Sequence, residues 1–386
     1  MSDTHTSKYL EVRSYTLAIC IPLGAEDYIP QPAEFVSPAK WHLGHTTWFF
    51  EEFILSKHLK AYKRFDQEFA FVFNSYYNTI GERIQRAMRG NLSRPSLERV
   101  VEYRKYIDEH MTELLSGELN DELESLLDIG LNHEQQHQEL LFTDIKYVLG
   151  HNPLFPAYRE GESYVNNRNA ESGWATIDEG VHEVGFSGNG FSYDNEHGLH
   201  QSFIQGIEVS KALVTNAEYL DFVQDAGYER HELWLDEGWG WIKENEITKP
   251  LYWHRVDDQW AQYTLGGLAT LNPEAQLAHI SHYEAAAYAE WKGMRLPTEF
   301  EWEIASKKLN WGTRWEHTNS AYLAYPGFKK PAGAVGEYNG KFMMNQMVQR
   351  GASVVTSPGH NRITYRNFFH PNMQWQFSGI RLVKND

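Results

Sequence analysis

Residues 133–137 read His-Glu-Gln-Gln-His, and this spacing makes the stretch a helix if the two imidazoles are to share a face. Side chains at i and i+4 of a helix stack about 6 Å apart, close enough for both rings to hold one ion through bonds of about 2.0–2.1 Å. The flanks agree with a helix. Leu123, Leu126, Leu127, Leu140, Leu141, Ile145 and Val148 recur at three- and four-residue steps around the pair, and Gly150 with Pro153 supplies the stop. The same string is the HExxH signature of zinc proteases, so spacing leaves the metal and its chemistry open.

A helical pattern extends over the whole chain up to about residue 150. Trp41, His45, Trp48, Phe49 and Glu52 share one stripe, and Leu97, Val100, Val101, Arg104, Ile107 and Met111 share another, which together predict a helix bundle. Between the stripes, Phe65 to Gly90 is aromatic, basic and less periodic, and reads as a long connection. Ser93 to Ser96, with Pro95 inside it, marks the next helix start. Pro153, Pro156, Gly161 and the run Asn166-Asn167-Arg168-Asn169 mark a boundary. We therefore expect a bundle over residues 1–155, a linker over 156–172 and a second domain over 173–386. That second part is dense in Gly, Trp and Tyr with short apolar runs, interrupted by helical segments near Asn216 to Ala226 and His282 to Trp291, and so reads as a mixed, loop-rich fold.

A formal charge of −17 argues against a broad phosphate-binding surface, so no nucleic acid is expected as partner. The apolar run Leu17 to Leu23 is too short for a bilayer span and lacks the flanks of a signal peptide. The expected location is the cytoplasm, with no membrane partner. Cys20 is the single cysteine, which excludes an internal disulfide and any cysteine-based metal cluster. A metal must then be held by His, Asp or Glu. His45 is the third candidate, because an unpaired imidazole on an apolar stripe would be costly; His42, one turn away, competes with it. With zinc, Glu134 would be a hydrolase base, but Leu140 and Thr143 stand where the metzincin extension needs Gly and His. Three neutral imidazoles leave the ion its full charge, which suits hydroxide on zinc or anionic ligands and oxygen on iron(II).

The string Ser37-Pro38-Ala39-Lys40-Trp41-His42-Leu43-Gly44-His45-Thr46-Thr47-Trp48-Phe49, then Phe73-Asn74-Ser75-Tyr76-Tyr77, then His133 to His137, resembles the iron-dependent sulfoxide synthases of ergothioneine biosynthesis. Ile280-Ser281-His282-Tyr283-Glu284-Ala285, Arg295-Leu296-Pro297-Thr298-Glu299-Phe300-Glu301-Trp302, Tyr365-Arg366-Asn367-Phe368-Phe369 and Gly379-Ile380-Arg381-Leu382 are similar to the formylglycine-generating type of C-type lectin fold. Formylglycine generators bind copper through a cysteine pair in that fold, and the single Cys20 lies outside it. The resemblance implies an α+β protein of two domains, a DinB-like four-helix bundle followed by that lectin-like fold. It implies Fe(2+) on His45, His133 and His137, and oxygen-dependent joining of a thiol sulfur to C2 of hercynine, the trimethylated form of histidine, as a sulfoxide.

The resemblance also implies roles for further residues. Tyr76 and Tyr77 would supply a proton-donating phenol beside the metal-bound oxygen, which steers the reaction to the C–S bond rather than to thiol dioxygenation. Gln136, Asn367 and Phe368 match the family's hercynine contacts, which implies an active site at the domain interface. Phe368, Phe369 and Met373 stand where the branch using γ-glutamylcysteine carries a Trp-Asp pair and an arginine. Free cysteine is therefore the expected donor, since a glutamyl group would leave charges unpaired. Arg86 matches the anchor for the cysteine carboxylate, with Arg83 and Arg89 close enough in sequence to be confused with it. The alternatives are a γ-glutamylcysteine-using enzyme, an ovothiol-type enzyme acting on histidine, a selenoneine-type synthase and, from another class, the zinc hydrolase.

Overall fold

Ser96 and Asn120 each accept a backbone N–H from three residues on, Arg99 at 3.3 Å and Leu123 at 2.9 Å. Such caps satisfy donors that a helix start leaves unpaired, and here they open the two helices that follow the long connection. The computed structural model describes residues 2–75, 77, 81–161, 171–330 and 339–385. Its contacts divide the chain into two units. The first runs to Arg159 and also takes in the distant segment Thr356–His360.

Four long helices make the first unit: α1 (Ser2–Cys20), α2 (Ala39–Phe50), α3 (Leu97–Leu115) and α4 (Asp121–Gly150). Helices α1 and α2 each pack against both α3 and α4. All twelve residues of α2 are buried, so this helix has no solvent face, and its polar side chains must find partners inside the protein. It runs on into a π-helical turn, Glu51–Leu55. In α3 the buried side chains are Val100, Tyr103, Arg104, Ile107, Met111 and Leu115, the three- and four-residue steps of a one-sided helix. Two glycines permit close approach to α2. A Cβ on Gly44 would sit 2.1 Å from the Phe73 ring, and one on Gly130 of α4 would sit 2.7 Å from the Phe50 ring. The described residues between Phe65 and Gly90 are largely irregular, with a short helix at Phe69–Val72 and a 3₁₀ segment, Arg86–Asn91.

Among the described residues the second unit holds two four-stranded sheets, a two-stranded antiparallel pair and a three-stranded meander. One four-stranded sheet orders its strands Trp174–Ile177, Ile207–Ser210, Val383–Lys384 and Met294–Arg295; the other orders Asn367–Phe369, Met347–Gly351, Trp315–Ala321 and Ser378–Gly379. Register in the latter places His317, Gln349 and Asn367 in one row across three strands. Helices Asn216–Gln224 and His282–Trp291 are present, and so are two that the sequence reading left out, Asp236–Glu244 and Glu299–Ala305. Tyr219, Phe222, Trp253, Leu277, Ile280, Tyr288 and Ile380 pack as one apolar cluster. Buried ion pairs brace it: Arg381 with Glu316 at 2.5 Å, Arg366 with Glu299 at 2.8 Å, and Arg350 with Glu303. Arg295 pairs with Glu301 at 2.8 Å, so the Arg-Leu-Pro-Thr-Glu element carries structural charge pairs. The chain is thus a two-domain α+β protein, helical first and mixed second. Among the described residues no helix is long and apolar enough to cross a membrane.

Candidate metal centre

His45 comes from α2 and His133 with His137 from α4. One ligand atom from each ring lies within 4.8 Å of the others. The Nε2 atoms of His45 and His133 are 3.2 Å apart, the span of two bonds of about 2.1 Å meeting at about 100°. His45 donates from Nδ1 to the Phe73 carbonyl at 2.7 Å, which fixes its ring and leaves the Nε2 lone pair facing inward. Trp41 stacks on His45 with centroids 4.5 Å apart, Trp48 covers it at 5.5 Å, and Phe49 lies 4.9 Å from His133. Burial in this aromatic shell disfavours imidazolium, and neighbouring positive groups add to the effect. His45 and His137 are held well below the ordinary imidazole range, and His133 is lowered to about 3 by burial, against the opposing pull of Glu134. Neutral imidazole is the form that binds metal. The donor set, its spacing and its charge state therefore suit a divalent transition metal with open positions.

His42 does not compete for the ion in this arrangement. Its Nδ1 lies 2.9 Å from Nδ1 of His137, and its Nε2 lies 2.9 Å from Asp144 Oδ2. That same carboxylate oxygen accepts the Ser37 backbone N–H at 2.9 Å.

Glu134 is fully committed elsewhere. Arg13 donates to its Oε2 at 2.9 Å, Thr16 donates to its Oε1 at 2.6 Å, and Arg104 also donates to Oε1. Burial would push its carboxyl up, but Arg104 and Arg13 overcome that and hold it at about 2. A carboxylate with both oxygens occupied by buried guanidinium groups is no general base, so the zinc-hydrolase alternative loses the residue it depends on.

Three arginines follow the Tyr-Tyr pair, and the structure separates them. Arg89 is buried, with its guanidinium 3.4 Å over the Trp41 ring and donating to the hydroxyls of Ser37 at 2.8 Å and Ser75 at 2.9 Å. Because Trp41 itself stacks on His45, Arg89 stands one ring from the histidines. Arg83 is exposed and donates to the Ser75 carbonyl at 2.7 Å; Arg86 is exposed and donates to the Phe35 carbonyl. Tyr77 is buried, its ring 5.5 Å from Trp48 and 5.2 Å from Phe53, and thus also one aromatic ring from His45. Tyr76 lies outside the described residues. Gln136 is half-buried on α4. Asn367 and Phe368 belong to the second unit, where Phe368 stacks on Tyr322 with centroids 3.9 Å apart.

The segment Thr356–His360 clasps α4 around the histidine pair. Thr356 donates to Glu139 at 2.8 Å, and Ser357 to the Gln138 side chain at 2.6 Å. Gln135 donates to the Pro358 carbonyl at 3.0 Å, and His360 meets Asn132 at 3.1 Å. Gln138 continues inward to the Val12 carbonyl at 2.8 Å and the Thr16 hydroxyl at 3.0 Å. Sequence reasoning gave no sign of this clasp, of the Asp144 contact or of the pairing of Glu134 with Arg13 and Arg104. One clue was available: Asp144 is seven residues from His137, two turns along the same helix face.

Residues 8–141 match the DinB superfamily, and residues 161–331 match the sulfatase-modifying factor enzyme 1-like domain. Among curated relatives, the hercynine oxygenase of Mycolicibacterium thermoresistibile is 25% identical over 66% of this chain and 67% of its own length. That of Mycobacterium tuberculosis is 25% identical over 66% and 70%, and that of Mycolicibacterium smegmatis is 27% identical over 50% and 56%. A histidine-bearing DinB superfamily domain followed by a sulfatase-modifying factor enzyme 1-like domain gives the chain the architecture of the ergothioneine-type sulfoxide synthases.

Proposed function

We propose that this protein is an iron(II)- and oxygen-dependent synthase that joins cysteine to C2 of hercynine as a sulfoxide. The observation that carries the reading is the trio His45, His133 and His137, the first two buried and the third half-buried, all held neutral, in a chain whose relatives include hercynine oxygenases. Iron held by these residues would supply the oxygen-activating chemistry. The overall conversion balances: one C–H and one S–H bond are lost, one C–S and one S–O bond form, and the second oxygen atom leaves as water.

The chain's own groups have the following proposed tasks. The aromatic shell of Trp41, Trp48 and Phe49 excludes water from the histidines and keeps them neutral. A phenol of the Tyr76–Tyr77 pair, protonated at neutral pH, donates a proton that favours the conjugate over thiol dioxygenation. Arg86, by motif, anchors the cysteine carboxylate, and Arg89 and Arg83 are its neighbours in the same basic stretch. Gln136, Asn367 and Phe368 contact hercynine, where an aromatic face suits a quaternary ammonium that cannot donate a hydrogen bond. The apolar Phe368, Phe369 and Met373 favour cysteine over γ-glutamylcysteine.

The test is mass spectrometry of the products after anaerobic loading with iron(II), hercynine and cysteine, followed by oxygen, with parallel reactions containing γ-glutamylcysteine, a selenium donor, or histidine in place of hercynine. A hercynylcysteine sulfoxide peak strongest with cysteine is the expected result. A dominant γ-glutamyl, seleno or histidine product reassigns the branch, and no conjugate from iron-loaded protein in any reaction rejects the reading.

A further inference from the structure

We propose that His42 and Asp144 form a proton-ordered relay that sets the ligand nitrogen of His137, which makes them positioning residues for the metal. The inference rests on the metal-centre reading above and goes beyond it to two residues that no motif assigns. A carboxylate can only accept hydrogen bonds. Facing Asp144 Oδ2 at 2.9 Å, Nε2 of His42 must therefore carry the hydrogen, and in a neutral ring that leaves Nδ1 as a lone pair. The lone pair faces Nδ1 of His137 at 2.9 Å, so the hydrogen of that contact belongs to His137, whose Nε2 is then the unprotonated atom available to an ion. The polarity runs one way from Asp144 through His42 to His137.

The surroundings hold this order in place. His42 and Asp144 are both buried, so water does not compete for either contact. The Ser37 N–H donates to the same Asp144 oxygen at 2.9 Å and presets it as an acceptor. Trp41 packs edge-on against His42 with ring centroids 5.9 Å apart, which limits rotation of the imidazole. His45 reaches the same end by a shorter route, through the Phe73 carbonyl. Two of the three ligands thus have their tautomer set from outside, one by a backbone carbonyl and one by a carboxylate acting through a second imidazole.

The discriminating pair of variants is His42→Phe and His42→Gln. Phenylalanine keeps the ring volume and offers no acceptor. Glutamine can accept from His137 through its amide oxygen while its NH₂ donates to Asp144, which restores the polarity without an imidazole. Anaerobic cobalt(II) titration of the full-length protein, with affinity from chelator competition and the visible d–d spectrum as second readout, reads the site independently of turnover. The expected loss of affinity for His42→Phe is about 10- to 100-fold, with an altered cobalt spectrum, and His42→Gln recovers most of both. Equal affinity in all three proteins, or an equal loss in both variants, overturns the relay. Asp144→Leu, which removes the acceptor oxygen, carries the same test should the Phe variant not fold. A several-fold loss with a shifted spectrum supports the relay, and wild-type behaviour overturns it. Failure of the wild-type protein to bind cobalt or iron would instead reject the metal-centre reading itself.

Discussion

Replacing Glu134 by Gln should unfold the first unit far more readily, and the structure gives the magnitude by two routes. Glu134 is completely buried between Arg13 and Arg104, which are themselves buried. Removing one partner of a buried charge pair costs about 3–5 kcal/mol, because the remaining charge is left uncompensated; Asp108, at 2.6 Å from Arg13, relieves only one of the two guanidinium groups. The second route is protonation. An ordinary glutamate titrates near about 4.3, this one is held at about 2, and at about 1.4 kcal/mol per tenfold the difference is worth about 3 kcal/mol at neutral pH. Its sign follows from which state takes the proton. The unfolded chain protonates first, so the contribution is complete above about pH 5 and is lost as pH falls from about 4.3 through about 2. Urea unfolding followed by helical circular dichroism should show a midpoint lowered by about 2 M at pH 7 for a slope near 2 kcal/mol/M, and the gap between the two proteins should close as pH approaches 2. A variant as stable as wild type, or a gap that does not change with pH, would refute the assignment of Glu134 as a structural anion. Loss of peptide cleavage without loss of stability would return it to the role of hydrolase base.

Three further outcomes are expected. Gly44→Ala puts a carbon where the Phe73 ring already is, 2.1 Å away; a loss of about 1–3 kcal/mol in urea unfolding should accompany about tenfold weaker metal binding by chelator competition, since Phe73 also supplies the acceptor for His45. His45→Ala should abolish the stabilisation that anaerobic iron(II) gives the wild-type protein in scanning calorimetry, about 2.7 kcal/mol at a free metal concentration one hundred times Kd. The double variant Tyr76→Phe, Tyr77→Phe should move product from the sulfoxide conjugate toward cysteine sulfinate by about 10²-fold in ratio, measured by mass spectrometry; an unchanged partition would remove both phenols from the proposed mechanism.

The helical first unit and the gathering of the three histidines were legible because each depends on one helix at a time. His133 and His137 share a face by spacing, and His45 stands out as a polar ring on an apolar stripe. Glu134 shows where such reading stops. At 3.6 residues per turn it is rotated about 100° from His133, so the motif itself turns it away from that ring. Its partners Arg13 and Arg104 lie on two other helices; Arg104 stands on an apolar stripe, as His45 does, but nothing in the local sequence names the carboxylate it pairs with. His42 was legible as a histidine near the site, but its task depends on Asp144 across the helix contact. In the second unit, Gly238, Trp239, Gly240 and Trp241 obscured the helix Asp236–Glu244, because glycine and tryptophan are poor evidence for a helix. Thr298 and Glu301 form a capping box whose glutamate also pairs with Arg295, so one side chain both starts the helix and closes a charge pair.

The clasp on α4 sets an order of events during synthesis. Helix α4 is complete at Gly150, while the residues that hold its Asn132, Gln135, Gln138 and Glu139 arrive with Thr356–His360. At about 5–20 residues per second, a ribosome takes on the order of ten to forty seconds to cover that interval. For that time the helix carrying two of the histidines lacks the contacts that this later segment makes with those four side chains. A nascent chain stalled before residue 356 should therefore exchange amide hydrogens along 132–139 faster than the finished protein, and the metal centre would be among the last parts of the first unit to settle.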